Sequence, residues 1–327
     1  MTTVADVEAQ VRASAVPYVL ELLGERWTFP LLGALLVSPR RFEDLVESLG
    51  VPRSTLASRL AHLVERGLVA RHEYEQRPPR SVYVLTERGR RAHPLVLLAR
   101  DFDRRFEDRH DLVPLLHASC GSPLEVSLVC EACGAAVRAT EVELGPAGPP
   151  AEASLGPLPV RRSRGVAPNE GEAGPRSATD VLGDRWASLV VAVVFFGVRR
   201  YGEIESLIGI APNILARKLA WLVERGLLER RAYQTSPERH DYRLTTKGKE
   251  LFPLVLALAD YGDHVLRPRY EPSMRLRHLP CGKPLRTELR CTACQGPVEG
   301  DAMESPNDGQ PGPPALAAPK AVPTSRP

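Results

Sequence analysis

The chain has 327 residues, enough for two ordinary domains and their connecting segments. Its formal charge of +3 is mildly basic, which is compatible with nucleic acid as a partner without establishing one. The N-terminal stretch MTTVADVEAQVRASAV carries early acids and no long apolar core, which excludes a secretory signal. The longest apolar run, Ala187–Val198, is far short of the roughly 20 residues of a membrane-spanning helix, so a soluble cytoplasmic protein is expected.

Taken in chain order, 7–23 has helical apolar spacing that Pro17 breaks into two pieces. A strongly apolar helix over 27–37 follows. RFEDLVESLG then predicts a short amphipathic helix with Phe42, Leu45, Val46 and Leu49 on one face. In VPRSTLASRLAHLVERG, Pro52 suits a first turn, Leu56, Leu60, Leu63 and Val64 form an apolar stripe, and Gly67 ends the helix. Two short strands around 68–74 and 82–85 flank the tip EQRPPR. Thr86 then caps a long helix running to about Arg109. Two short helices with a tight turn followed by a hairpin make a winged helix-turn-helix.

The second half repeats the first. LLGERWTFPLLGALL matches VLGDRWASLVVAVVF, RLAHLVERGLVAR matches KLAWLVERGLLER, YVLTERG matches YRLTTKG, and PLVLLARDF matches PLVLALADY. The fold class is therefore mainly α with small β-hairpins: two tandem winged helix-turn-helix domains, each followed by a small zinc ribbon. The expected boundaries are 1–113 for the first domain, 114–143 for its ribbon, 144–175 for a flexible linker, 176–274 for the second domain, 275–299 for its ribbon and 300–327 for a disordered tail. The linker and tail are rich in Pro, Gly and Ala without periodicity. The faces of the long helices HPLVLLARDFDRRF and FPLVLALADYGDHV read as core between two such domains, ahead of a ligand pocket.

With Leu56, Leu60 and Leu63 buried, the second helix of the first motif turns Arg53, Ser54, Thr55, Ser58 and Arg59 outward. Its equivalent in the second half offers Asn213, Ile214, Arg217 and Lys218. Most of these residue types reach base edges and phosphates in a major groove. The wing tips add Arg77 and Arg80, then Arg239 and His240, suited to the phosphate backbone or the minor groove. Trp221 stands where the first half has His62, and a place between the halves is the competing reading for it.

LLGERW and VLGDRW, RRFEDLVESL and RRYGEIESLI, LASRLAHLVERGLVAR and LARKLAWLVERGLLER, and VYVLTERG and YRLTTKG together resemble the HxlR-type family of winged-helix transcription regulators, over about 100 residues of each half. The resemblance implies recognition helices in the major groove of double-stranded DNA, and dimer contacts through terminal helices. It also departs from the family in two ways. The Cys-Pro pair that many relatives carry ahead of the first helix is absent, since the matching positions hold Ser14 and Ala173. And two domains sit in one chain, which suggests a covalent pseudo-dimer beside the usual homodimer. Because Thr55 is matched by Ile214 and Ser58 by Arg217, an asymmetric operator is expected.

All six cysteines fall in a repeated pattern, His-x2-Cys, nine residues, Cys-x2-Cys, at 117–133 and 278–294. Thiolate and imidazole suit tetrahedral Zn²⁺, and clustered cysteines in a reducing compartment read as ligands ahead of disulfides. The expected sets are His117, Cys120, Cys130, Cys133 and His278, Cys281, Cys291, Cys294, each holding one structural zinc in a ribbon too small to build a core. A surface role for either histidine, with a fourth ligand from elsewhere, competes with this, as does thiol switching by the paired cysteines. No phosphate loop, nucleophile elbow or His-Glu-x-x-His helix occurs, so no enzyme is expected. The resemblance implies a DNA-binding regulator, by family default a repressor; the alternative is an effector-binding or protein-interaction protein that kept the fold without operator binding.

Overall fold

A computed structural model describes residues 4–25, 27–76, 79–107, 114–145, 178–236, 238–266, 274–300 and 303–304. Most of the expected linker and tail, the RRSR run at 161–164 and Arg77 lie outside the described residues.

The first half opens with α1 (Val4–Ala13) and α2 (Val16–Leu23), broken as expected: Pro17 sits in the first turn of α2, and the Ser14 hydroxyl accepts from the Val16 amide at 3.1 Å. The buried helix α3 (Thr28–Val37) leads to α4 (Phe42–Leu49), whose first turn is capped by Asp44 accepting from the Arg41 amide. On α5 (Arg53–Glu65), Leu56, Leu60 and Leu63 are buried, but Val64 is left at 38% exposure and does not join the stripe. β1 (Val69–Gln76) and β2 (Pro79–Leu85) form the hairpin, and the main chain of Arg40 pairs with Tyr83 as a third strand of the wing.

The long helix expected from Thr86 is two helices. Thr86 caps only α6 (Glu87–Arg90), accepting from the Gly89 amide while donating to the Gly67 carbonyl; α7 (His93–Phe106) starts afresh, and Pro94 in its first turn has no amide to continue the ladder. The glycine of TERG has a steric reason: a Cβ on Gly89 would lie 2.1 Å from the Leu68 carbonyl oxygen. Gly248 in TTKG meets the Leu227 carbonyl in the same way, at 2.0 Å. Three short strands close the half: β3 (Leu116–His117), β4 (Val126–Cys130) and β5 (Val142–Leu144).

The second half repeats this with α8 (Ala178–Leu182), α9 (Arg185–Phe195), α10 (Tyr201–Ile208), α11 (Pro212–Glu224), β6 (Leu228–Thr235), β7 (Glu238–Leu244), α12 (Thr246–Lys249) and α13 (Phe252–Tyr261). A π-helical turn over Gly262–Leu266 extends α13, and β8 (Leu276–His278), β9 (Thr287–Cys291) and β10 (Met303–Glu304) follow. α10 and α11 meet at 119°, within the helix-turn-helix range. Among the described residues no single helix is long and apolar enough to cross a membrane.

The halves pack on each other through the long helices. α7 lies against α13 and α8, and α2 against α9 and α13, so one apolar core runs through both halves. Polar contacts fix the register: the Tyr261 hydroxyl donates to the Arg88 carbonyl at 3.2 Å, Asp103 accepts from the Ala178 amide, and Lys247 pairs with Glu107 at 2.7 Å. The space between α8, α9 and α13 holds only about 10 Å³, so the apolar faces there serve as core and leave no room for an effector.

The cysteine segments depart most from expectation. β4 pairs antiparallel with β9, β5 with β8 and β3 with β10, so every one of these two-stranded sheets joins one half to the other. A self-contained hairpin ribbon after each repeat is not what forms. The nine residues between the cysteine pairs must hold a turn as well as β4, which leaves no length for a return strand. The other half supplies it, and the pairing reaches Met303–Glu304, past the expected boundary at 299.

Candidate nucleic-acid interface and metal centres

α5 and α11 present the predicted reading faces in part. Arg53, Ser54 and Ser58 are exposed and Thr55 is half-buried; on α11, Asn213 and Arg217 are exposed and Ile214 is half-buried. Arg53 is held by a forked ion pair to Glu43 of α4, over the ring of Phe42, and its guanidinium keeps the Glu43 carboxyl below its ordinary range. The second half has Pro212 there, with Tyr201 in place of Phe42 donating to the Pro212 carbonyl at 2.6 Å. The two reading faces thus differ in charge as well as in side-chain shape.

Arg59 and Lys218 do not stand outward. Each is a half-buried cation, with side chains 13% and 14% exposed, paired to an acid of the preceding segment: Arg59 to Glu25 and Lys218 to Asp184. Asp184 also caps α9, accepting from the amides of Trp186 and Ala187 at 3.0 Å each. The acid of GERW and GDRW therefore ties the recognition helix to the core. Sequence reasoning missed this, although the cation follows the acid at the same interval in both halves. The Trp221 ring is covered within its own helix region by Arg225, 4.3 Å away, and by Lys218.

At the wings, Arg80 and Arg239 are exposed, while His240 pairs with Glu238 at 3.0 Å. Arg41 lies over Tyr74 and Arg200 over Tyr233, bracing each hairpin against the start of the first motif helix. A cleft of about 370 Å³ opens between the second wing and α10, lined by Arg200, Tyr233, Arg239 and His240 among others.

The eight His and Cys residues converge in two clusters, each drawn from both halves. His117 and Cys120 meet Cys291 and Cys294; Cys130 and Cys133 meet His278 and Cys281, with all ligand atoms of each cluster within 4.8 Å of one another. The expected within-half sets are thereby re-partitioned. In one half the His-x2-Cys turn and the Cys-x2-Cys turn stand at opposite ends of a five-residue strand, a separation of about 17 Å. Antiparallel pairing of β4 with β9 brings each cysteine turn to the other half's His-x2-Cys turn instead.

The geometry fits a tetrahedral thiophilic cation. The Nδ1 of His117 is 3.4 Å from the Cys120 sulfur and 3.3 Å from the Cys294 sulfur; the Nδ1 of His278 is 3.4 Å from both the Cys133 and Cys281 sulfurs; and the Cys130 and Cys281 sulfurs are 4.0 Å apart. Zinc bonds of ordinary length in a tetrahedron give edges of about 3.6 Å for N to S and about 3.8 Å for S to S. Both rings are fully buried with Nε2 lacking a hydrogen-bond partner among the described residues, so neither histidine is a surface residue. Backbone amides favour the thiolates: that of Ser122 leads in bringing Cys120 down to about 6, and that of Lys283 in bringing Cys281 to about 7. Burial pushes Cys130 up.

The profile of the HxlR-like helix-turn-helix family matches residues 22–111 and again 181–270, together more than half of the chain. The chain belongs to the HxlR-like helix-turn-helix family. An HTH-type transcriptional regulator of Mycobacterium tuberculosis (strain CDC 1551 / Oshkosh) is 44% identical over 126 residues, 38% of this chain and 78% of that protein. The HTH-type transcriptional regulator YvaP of Bacillus subtilis (strain 168) is 30% identical over 105 residues, 31% of this chain and 97% of its own length. Among solved structures, the redox regulator HypR in its reduced form aligns at 28% identity and a TM-score of 0.28, over 30% of this chain and 98% of that one. Each of these alignments covers about a third of this chain and more than three quarters of the matched protein.

Proposed function

We propose that this DNA-binding transcription regulator reads one asymmetric operator with its two unlike helix-turn-helix units, acting as a covalent pseudo-dimer and as a repressor. The observation that carries this reading is the packing of α7 and α2 against α13 and α9, which joins two family domains in one chain through their terminal helices. Arg53, Ser54, Thr55 and Ser58 would read one half-site and Asn213, Ile214 and Arg217 the other, with Arg80, Arg239 and His240 at the flanking backbone. Arg77, at the first wing tip, belongs to the same set. Arg59 and Lys218 act one step back, orienting the reading helices through their ion pairs. Repression follows from occupancy: a chain covering both half-sites blocks other proteins from that stretch.

Two Zn²⁺ ions, one per cluster, serve structure here. Four protein ligands would leave no open position for water, so the metal would supply binding and no catalysis. The experiment is selection of genomic fragments by the purified full chain at physiological salt. Enrichment of a motif with two unlike halves is expected. A palindrome would assign reading to one unit within a dimer of chains, and no enrichment would favour an interaction protein that kept the fold.

A further inference from the structure

We infer that a thiophilic divalent cation, Zn²⁺ above all, is an effector of this regulator: each ion clasps one half to the other and so fixes the spacing of the two DNA readers. The inference rests on the two-reader function proposed above and adds its control.

Neither cluster can be completed by one half. Each takes a His-x2-Cys turn from one repeat and a Cys-x2-Cys turn from the other. An ion that binds only when the halves are docked must stabilise docking, and docking must raise affinity for the ion by the same factor. The clasp is also joined to the readers. Glu125, just ahead of β4, pairs with Arg104 of α7. His93, at the start of α7, contacts the Val298 carbonyl of the second half at 2.9 Å through Nε2. Gln10 of α1 bridges both segments, donating to the Gly145 carbonyl at 2.8 Å and accepting from the Arg275 amide at 3.0 Å. Through α7 the clasp continues into α6 and the first wing, and across the interface into α13. The cysteine segments are short strands whose buried Val126, Leu128, Val137, Leu144, Leu289 and Val298 join the common core, while the turns that carry the ligands leave Cys120, Cys133, Cys281 and Cys294 exposed or only partly covered and would be tied together by the ions. Without metal, helix packing, the shared core and the strand pairs still join the halves, and what is lost is the link between each half's cysteine turn and the other half's His-x2-Cys turn.

The test has two arms on the full chain, purified reduced and zinc-loaded. Metal content is measured by mass spectrometry in double variants. Cys120→Ser with Cys291→Ser removes two ligands of one crossed site and is expected to leave about one zinc per chain, as is Cys130→Ser with Cys281→Ser. Cys120→Ser with Cys130→Ser strikes both crossed sites and is expected to leave almost none. The reverse pattern would overturn the crossing, and circular dichroism on each variant checks that the helices persist.

In the second arm, anisotropy titrations use duplexes carrying the selected half-sites at a series of spacings, with zinc-loaded chain and with chain stripped by chelator. The loaded chain is expected to prefer one spacing by about tenfold or more, and the stripped chain to bind the half-sites with that preference lost. An identical spacing preference with and without zinc would sink the effector role while leaving the two-reader function intact. A loaded chain that selects no paired half-sites would sink both.

Discussion

Lys218, on the recognition helix of the second half, reaches back across 34 residues to the carboxylate of Asp184, which at the same time caps α9. One acid thus fixes the start of a core helix and the attitude of the reading helix packed on it. Asp184→Ala removes the cap and leaves a half-buried lysine unpaired, so its thermal midpoint should fall further than that of Lys218→Ala. The cap alone is worth about 1 kcal/mol. Calorimetry on the two variants checks the order, and equal midpoints would remove the cap from the account.

The salt dependence of DNA affinity separates the outward cations from the paired ones. Arg217→Ala should lower the slope of log affinity against log salt by about one, as for a phosphate contact. Arg59→Ala and Lys218→Ala, already paired inside the protein, should change stability and leave that slope close to the parent's. Titrations at four salt concentrations resolve the difference.

Gly262 marks a tight approach between helices of the two halves. A Cβ there would lie 2.6 Å from the Cβ of Ala15 and 2.9 Å from a methyl of Val19, both on or beside α2. Gly262→Val should push α2 off the second half and destabilise the chain by about 1–3 kcal/mol. Gly202, inside α10 with open space around its Cα, is the control: Gly202→Ala should be neutral or stabilising by up to about 1 kcal/mol. Urea unfolding midpoints of the two variants should move in opposite directions or, at the least, only the first should move.

Gln10 is buried and holds one carbonyl and one amide from the two cysteine segments. Gln10→Ala leaves both backbone groups without that partner, at a cost of about 1–3 kcal/mol. The loss should show as faster amide exchange at Gly145 and Arg275 with little change at α5, measured by hydrogen exchange. Equal change throughout would mean that the bridge stabilises the whole fold and not the clasp.

Chain order and periodicity carried most of the reader domains. Apolar stripes at helical spacing, Pro17, Gly67 and the cap at Thr86 are local devices, and local devices are legible along a sequence. So were the identity of all eight candidate ligands and the near-repeat of the two halves, because residue type and spacing are written in the chain. Three features were decided only in three dimensions. Arg59 and Lys218 look outward on a helical wheel, but a long cation turns toward the nearest acid, and that acid lies in another element. The long helix after Thr86 stops at Arg90 and restarts at His93, with Pro94 in the new first turn, where its missing amide breaks the ladder. The metal ligands regroup across the halves because a five-residue strand sets its two cysteine turns too far apart to share an ion, and the partner strand that closes the distance belongs to the other repeat. Spacing tells which residues can bind a metal; only the pairing of β4 with β9 tells which of them bind the same one.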